Sequence, residues 1–157
     1  MSNKDLIIKF YEAFSQKDYK TMSECYHDDV FFRDEAFTLK GKEASAMWHM
    51  LCVRGKDLSL SFNDVEANEE SGSAHWEAKY TFSQTRRKVH NKIDAQFKFK
   101  DGKIIEHIDS FDFWAWSKQA LGTPGLILGW SGFLKNKVEQ QAAESLNAFI
   151  SKHPEYQ

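Results

Sequence analysis

A chain of 157 residues has room for one domain with a real core and hardly for two. At 41% hydrophobic, 28% charged and a formal net charge of −2, its composition is ordinary for a soluble globular protein. That charge argues against nucleic acid as the main partner, because phosphate binding relies on clustered Lys and Arg. No run approaches the roughly 18–20 apolar residues of a membrane span.

The start of the chain leads into an amphipathic segment and does not read as a signal peptide. Two cysteines, Cys25 and Cys52, are too few for a disulfide framework or a thiolate metal site, so a reducing, cytoplasmic setting is expected. The unusual figure is 15% aromatic residues, with 13 Phe and 5 Trp. Such side chains fill cores and also line apolar pockets.

Residues 5–16 place Leu6, Phe10, Ala13 and Phe14 on one face at helical spacing. Met22, Cys25 and Tyr26 suggest a second short helix after Asp18, ending at Asp28-Asp29. Val30-Phe31-Phe32-Arg33-Asp34 reads as a strand running into a polar turn. A third helix follows Gly41, with Ala44, Met47, Trp48 and Leu51 as its buried stripe.

From there the period changes to two. Leu58-Ser59-Leu60-Ser61-Phe62 alternates, as do Trp76, Ala78, Tyr80 and Phe82, and then Ile93, Ala95, Phe97 and Phe99. Glu69-Glu70-Ser71-Gly72 and Asp101-Gly102 mark turns, and Arg86-Arg87-Lys88 fits a polar hairpin tip. Three helices followed by a long curved, largely antiparallel sheet make an α+β architecture. Gly122-Thr123-Pro124-Gly125 breaks the chain, the apolar stretch Leu126 to Trp130 follows, and a further helix from about Ser131 carries Leu134, Val138, Ala142, Leu146 and Phe149 on one side.

The stretch from Ile104 to Trp114 carries the chemistry. As a strand it puts His107, Asp109, Phe111 and Phe113 on one face. An imidazole and a carboxylate beside phenylalanines are expensive to bury unless each has a partner or a task. Which way this face points depends on the Asp101-Gly102 turn. A two-residue loop would set Phe99 opposite Ile104 and Phe97 opposite Glu106. A three-residue loop over residues 100–102 would set Phe97 opposite Ile105, Ala95 opposite His107, Ile93 opposite Asp109 and Asn91 opposite Phe111. The second register segregates apolar from charged residues more cleanly and is the one expected. Asp112, on the other face, would then lie near His90 as a cross-strand or interface pair.

Three further stretches carry a resemblance: Phe10-Tyr11-Glu12-Ala13-Phe14 with Lys17-Asp18, then Tyr26 through Asp34, then Phe97 through Ile104. In this order and spacing the chain resembles the nuclear transport factor 2-like superfamily, in its SnoaL-like and ketosteroid-isomerase-like branch. The resemblance covers about residues 5–114 and implies one domain over 1–157, with 115–157 as a C-terminal extension. It implies a cone, N-terminal helices packed in a strongly curved mixed or antiparallel sheet around an apolar pocket, with an extra C-terminal helix. It also implies a homodimer through the outer sheet face.

Asp34 matches the general base of ketosteroid isomerase. The oxyanion donors of that enzyme would fall at Phe10 and Ala95, which cannot donate, so steroid isomerisation is not expected. His107 and Asp109 fall at pocket-lining positions of the last strand. Trp48, His49, Trp76, Tyr80, Asn91 and Phe111 are expected around them, with His49 placed to hydrogen-bond a ligand or Asp34.

These readings lead to a cofactor-free acid–base enzyme acting on a small apolar molecule: an isomerase, dehydratase, cyclase or epoxide hydrolase. Asp109 or Asp34 would be the base, and His107 the acid or the donor to developing oxygen charge. The alternatives are a non-catalytic binder of a hydrophobic ligand and a dimerisation domain with a filled cone. No metal site is expected, since the six histidines show no ligand spacing apart from His107-x-Asp109.

Overall fold

A computed structural model describes residues 1–129 and 131–157. Trp130, the end of the apolar stretch before the last helix, lies outside the described residues. Helix α1 (Asn3–Ser15) opens with a capping box between Ser2 and Asp5 and buries Leu6, Ile7, Phe10, Tyr11 and Phe14. Helix α2 (Tyr19–Cys25) is capped by the Asp18 carboxylate, which accepts from the Thr21 N–H. Helix α3 (Lys42–Arg54) buries Ala44, Met47 and Trp48, as its stripe predicts.

Six strands form one sheet in the order β2-β1-β6-β5-β4-β3. They are β1 (Tyr26–Arg33), β2 (Thr38–Lys40), β3 (Ser59–Ala67), β4 (Ser71–Thr81), β5 (Lys88–Lys100) and β6 (Lys103–Ser110). Only β1 and β6 pair in parallel; the other neighbours are antiparallel. The inner face packs on α1 at the β3–β4 side and on α3 at the β1–β2 side, so the sheet curls around both helices. One apolar cluster fills the space between, with Phe10, Tyr11, Phe32 and Ile104 fully enclosed. No helix among the described residues is long and apolar enough to cross a membrane.

Two boundaries differ from expectation. The second helix ends at Cys25, and Tyr26 and His27 already belong to β1. Tyr26, Val30 and Phe32 are the buried positions of that strand, so sheet pairing outweighs the helical stripe seen around Met22. At the far end β6 stops at Ser110, and Phe113 belongs to helix α4 (Phe113–Leu121). Asp112 is its N-cap, accepting from the Ala115 N–H at 3.0 Å, so the expected pairing with His90 does not form. Helix α5 (Thr123–Leu128) follows Gly122, and a Cβ on Gly125 would run into the Ser117 carbonyl where α5 folds back on α4.

The expected hairpin register is also corrected. Asp101 and Gly102 take φ of 53° and 73°, the pair of positive values a two-residue type I′ turn requires, and Phe99 lies opposite Ile104. A bulge then inserts Ile105, so that Lys98 meets Glu106, Phe97 meets His107 and Ala95 meets Asp109. The bulge adds one residue where the three-residue loop would have added one, so the facial grouping survives although every partner is displaced by two. Without it, His107 and Asp109 would turn to the outer face.

Helix α6 (Gly132–Ser151), capped by Ser131, buries Leu134, Leu146 and Phe149. Its first half lies beside Ala36 and Trp116 and its Lys135 pairs with Glu35 at 2.7 Å; its second half packs on α3. The chain ends in a short 3-10 turn (Pro154–Tyr156) against α3.

Candidate active site

Between the inner sheet face and α3 lies a cavity of about 230 Å³. Its wall is mainly apolar, built from residues such as Phe14, Met47, Leu51 and Ile93. Asp34, Asp109, Tyr80 and Asn91 interrupt that wall. Trp48, Trp76 and Phe111 line it as well, so β6, β4, β5 and α3 all contribute side chains. Trp116 of α4 also borders the cavity; its Nε1–H donates to the Tyr80 hydroxyl at 2.8 Å. It is not among the expected residues, because it falls between the Ile104–Trp114 stretch and the break at Gly122, where the sequence assigns no element.

His107 stands behind Asp109. It is fully buried, absent from the cavity wall, and enclosed by Phe97, Phe32, Phe10 and Trp48 at ring-centroid distances of 4.5, 5.1, 5.5 and 6.0 Å. Both ring nitrogens are used: Nδ1 lies 2.8 Å from the Tyr26 hydroxyl and Nε2 lies 2.9 Å from Asp109 Oδ1. His107 therefore presents neither ring nitrogen to the cavity.

The direction of these bonds follows from donor counting. Trp48 Nε1–H can only donate, and it donates to the Tyr26 oxygen at 2.8 Å. Burial raises the Tyr26 pKa well above the ordinary phenol value, so the hydroxyl keeps its one proton. That proton has an acceptor only if it goes to His107 Nδ1. His107 then carries its hydrogen on Nε2 and donates to Asp109. The relay runs Trp48 to Tyr26 to His107 to Asp109 with every link satisfied; the reverse direction leaves the Tyr26 O–H without an acceptor.

Asp109 is thereby held as an acceptor. Trp76 Nε1–H adds a long contact at 3.4 Å to the same Oδ1. Oδ2 has no hydrogen-bond partner among the described residues, and Asp109 borders the cavity.

Asp34 closes the turn after β1, its Oδ1 accepting from the Ala36 and Phe37 N–H groups at 2.7 Å each. No ion pair with Arg33 forms among the described residues. Asp34 is half-buried. Burial pushes its pKa up to about 7 against the two backbone donors, and the charge of Asp109 adds to the rise. The cavity thus presents two carboxyl groups in unlike surroundings. Both also border a polar cleft with Arg33, Glu35 and Lys135.

His49, expected in the lining, faces away from it. Its ring stacks on Tyr19 at 3.6 Å and its Nδ1 lies 2.8 Å from the Tyr156 hydroxyl. The physical reason is helical spacing: Met47, Trp48 and Leu51 share the cavity face of α3, and His49 lies around the helix from them.

The chain belongs to the SnoaL-like domain family, whose match spans residues 7–107. No curated protein sequence matches it. Among solved structures it is similar to an epoxide hydrolase of M. tuberculosis described as LEH-like, at 16% identity and a TM-score of 0.61, covering 80% of this chain and 94% of that one. It is similar to IdmH of Streptomyces antibioticus, assigned as a polyketide cyclase, at 19% identity and a TM-score of 0.62, covering 73% and 95%. TerC, co-crystallized with polyporic acid, matches at 16% identity and a TM-score of 0.62, again covering 73% and 95%. At these identities the likeness establishes the fold alone.

Proposed function

We propose that the cavity binds a small, largely apolar molecule and performs proton transfer on it with side chains alone. The observation that carries this reading is the pair of carboxyls on one apolar wall, Asp109 buttressed as an acceptor and Asp34 with its pKa near neutrality. Asp109 Oδ2 takes a proton from an activated carbon, or from a water that attacks the substrate. His107 and Tyr26 position Asp109 and disperse its charge through the relay. Oxygen charge that develops on the substrate meets the Tyr80 O–H, the Asn91 amide or the protonated Asp34.

The reaction class is that of an isomerase, dehydratase, cyclase or epoxide hydrolase. The names of the similar epoxide hydrolase and cyclase are consistent with that range. A second reading, a hydrophobic-ligand binder, is favoured by the completeness of the relay, which would satisfy His107 and Asp109 structurally without turnover.

Titrating small apolar carbonyl compounds and epoxides into the protein tests both, with quenching of the cavity tryptophans reporting binding and product analysis reporting turnover. The enzyme reading expects turnover in the wild type that falls by about 10²–10⁴-fold in Asp109→Asn, with affinity little changed. Binding without turnover in either form would leave the binder. The reading also includes two copies meeting through the outer sheet face, where His75, Glu77, His90 and Asp94 form one hydrogen-bonded cluster. A monomer by sedimentation at micromolar concentration would remove that part.

A further inference from the structure

On the side of α3 away from the cavity, the fold gathers three metal-ligand types that are remote in sequence: His49, His153 and Glu155. One ligand atom from each lies within 4.8 Å of the others. His49 is buried on α3, His153 follows α6 and is partly buried, and Glu155 sits exposed in the terminal 3-10 turn. We propose that these three side chains form a binding site for a divalent transition-metal ion of the zinc class, which ties the C-terminal segment to α3.

The ring nitrogens are set for this. His153 Nδ1 lies 2.7 Å from the Phe149 carbonyl oxygen. A carbonyl accepts only, so His153 carries its hydrogen on Nδ1 and leaves Nε2 with a free lone pair. His49 Nδ1 lies 2.8 Å from the Tyr156 hydroxyl, and its Nε2 has no hydrogen-bond partner among the described residues; Nε2 offers its lone pair in the tautomer whose Nδ1–H donates to that half-buried hydroxyl. Metal-ligating histidines use their second nitrogen in this manner, because the outer partner orients the ring and sets the tautomer.

The rings are further fixed by packing. His49 lies between Tyr19, stacked at 3.6 Å, and the Phe149 edge at 5.0 Å, while His153 stacks on Phe149 at 3.9 Å. Lys20 is the nearby cation that opposes metal charge, and Glu155 offsets it.

Two imidazoles and a carboxylate are a known zinc ligand set that leaves one position for water. Zn–N bonds of about 2.0–2.1 Å bring tetrahedral ligands to about 3.4 Å apart, so the three atoms must draw together by roughly an ångström. The exposed Glu155 side chain and the short terminal turn can supply that movement. The outer-sheet cluster of His75, Glu77, His90 and Asp94 is a weaker candidate: both His75 nitrogens and His90 Nε2 already hold carboxylates.

The test is calorimetric titration of zinc chloride into the full, chelator-stripped chain under a phosphine reductant. Parallel titrations use His153→Gln, Glu155→Gln and the control His75→Gln. Glu155 is exposed and His153 only partly buried just past the C-terminal end of α6, so these variants should keep the wild-type circular dichroism. The expected result is one-to-one binding at micromolar affinity or better in the wild type and in His75→Gln. It should weaken at least about tenfold in His153→Gln and in Glu155→Gln. Zinc should also raise the Tm of the wild type and not that of His153→Gln. No binding, or binding equal in all four proteins, overturns the site. Loss in His75→Gln with His153→Gln unaffected overturns it too by moving the metal elsewhere.

Discussion

The Tyr26 hydroxyl and His107 Nδ1 lie 2.8 Å apart across 81 residues of sequence, and this one contact decides what Asp109 can do. A tyrosine that donates to Nδ1 places the imidazole hydrogen on Nε2, facing the carboxylate. In the proposed mechanism His107 thereby positions Asp109, the carboxylate that borders the cavity. Long-range proton–nitrogen correlation spectra should show His107 as the neutral Nε2–H tautomer. An Nδ1–H or imidazolium pattern would reverse the relay.

Tyr26→Phe keeps the ring and removes the oxygen. It leaves the Trp48 N–H and His107 Nδ1 without partners in a region where neither can reach water. Orphaned buried groups cost about 1–3 kcal/mol each, so urea unfolding should register a loss of roughly 2–6 kcal/mol for the two. A loss below about 0.5 kcal/mol would mean the relay is not formed.

Asp34 links pH to stability with an unusual sign. An aspartate ordinarily titrates at about 3.9, and in the folded protein Asp34 does so at about 7. The native state therefore binds this proton more tightly than the unfolded state. Its contribution to stability falls as pH rises from about 4 to about 7 and is level above that. Asp34→Asn keeps an oxygen for the Ala36 and Phe37 N–H groups and has no proton to lose. It should match the wild type near pH 4 and exceed it by roughly 1–4 kcal/mol at pH 8. Unfolding curves at the two pH values check this; a gap that does not change with pH would place the Asp34 pKa near its ordinary value.

If protonated Asp34 donates to the substrate, turnover should also decline above pH 7, and Asp34→Asn, which still offers an N–H, should lose that limb. The measurement is a pH–rate profile of both forms on any substrate found by the screen.

Trp116→Phe removes the donor to the Tyr80 oxygen while keeping an aromatic ring near Phe82 and Phe113. The stability loss should be about 0.5–1.5 kcal/mol. The larger effect should fall on ligand affinity, since a free Tyr80 hydroxyl no longer has a fixed direction in the cavity. Unchanged affinity would remove Tyr80 from the recognition groups.

Much of the fold was legible because it rests on local periodicity. The stripe Leu6, Phe10 and Phe14, the alternation from Trp76 to Tyr80 and from Asn91 to Phe97, and the Asp101-Gly102 turn each specify their element through residues a few positions apart. The same alternation puts Asn91, Ile93, Ala95 and Phe97 on one face of β5 and His107 with Asp109 on one face of β6; that the two faces coincide follows from the bulge. The expectation that a carboxylate among phenylalanines must have a partner rests on the alternation as well.

Tertiary structure alone decided what those residues meet. The bulge at Ile105 is a pairing property of two strands, and no local signal in Lys103-Ile104-Ile105-Glu106 distinguishes it from a longer loop. Tyr26 joins His107, Trp116 joins Tyr80, and His49 joins Tyr156 across separations of 81, 36 and 107 residues, and sequence patterns of period 2 or 3.6 carry no information at that range. A sequence shows which side chains are unlikely to stay unpartnered; the packing of the whole chain selects the partners, because each buried donor and acceptor is satisfied by whatever the fold brings within 3 Å.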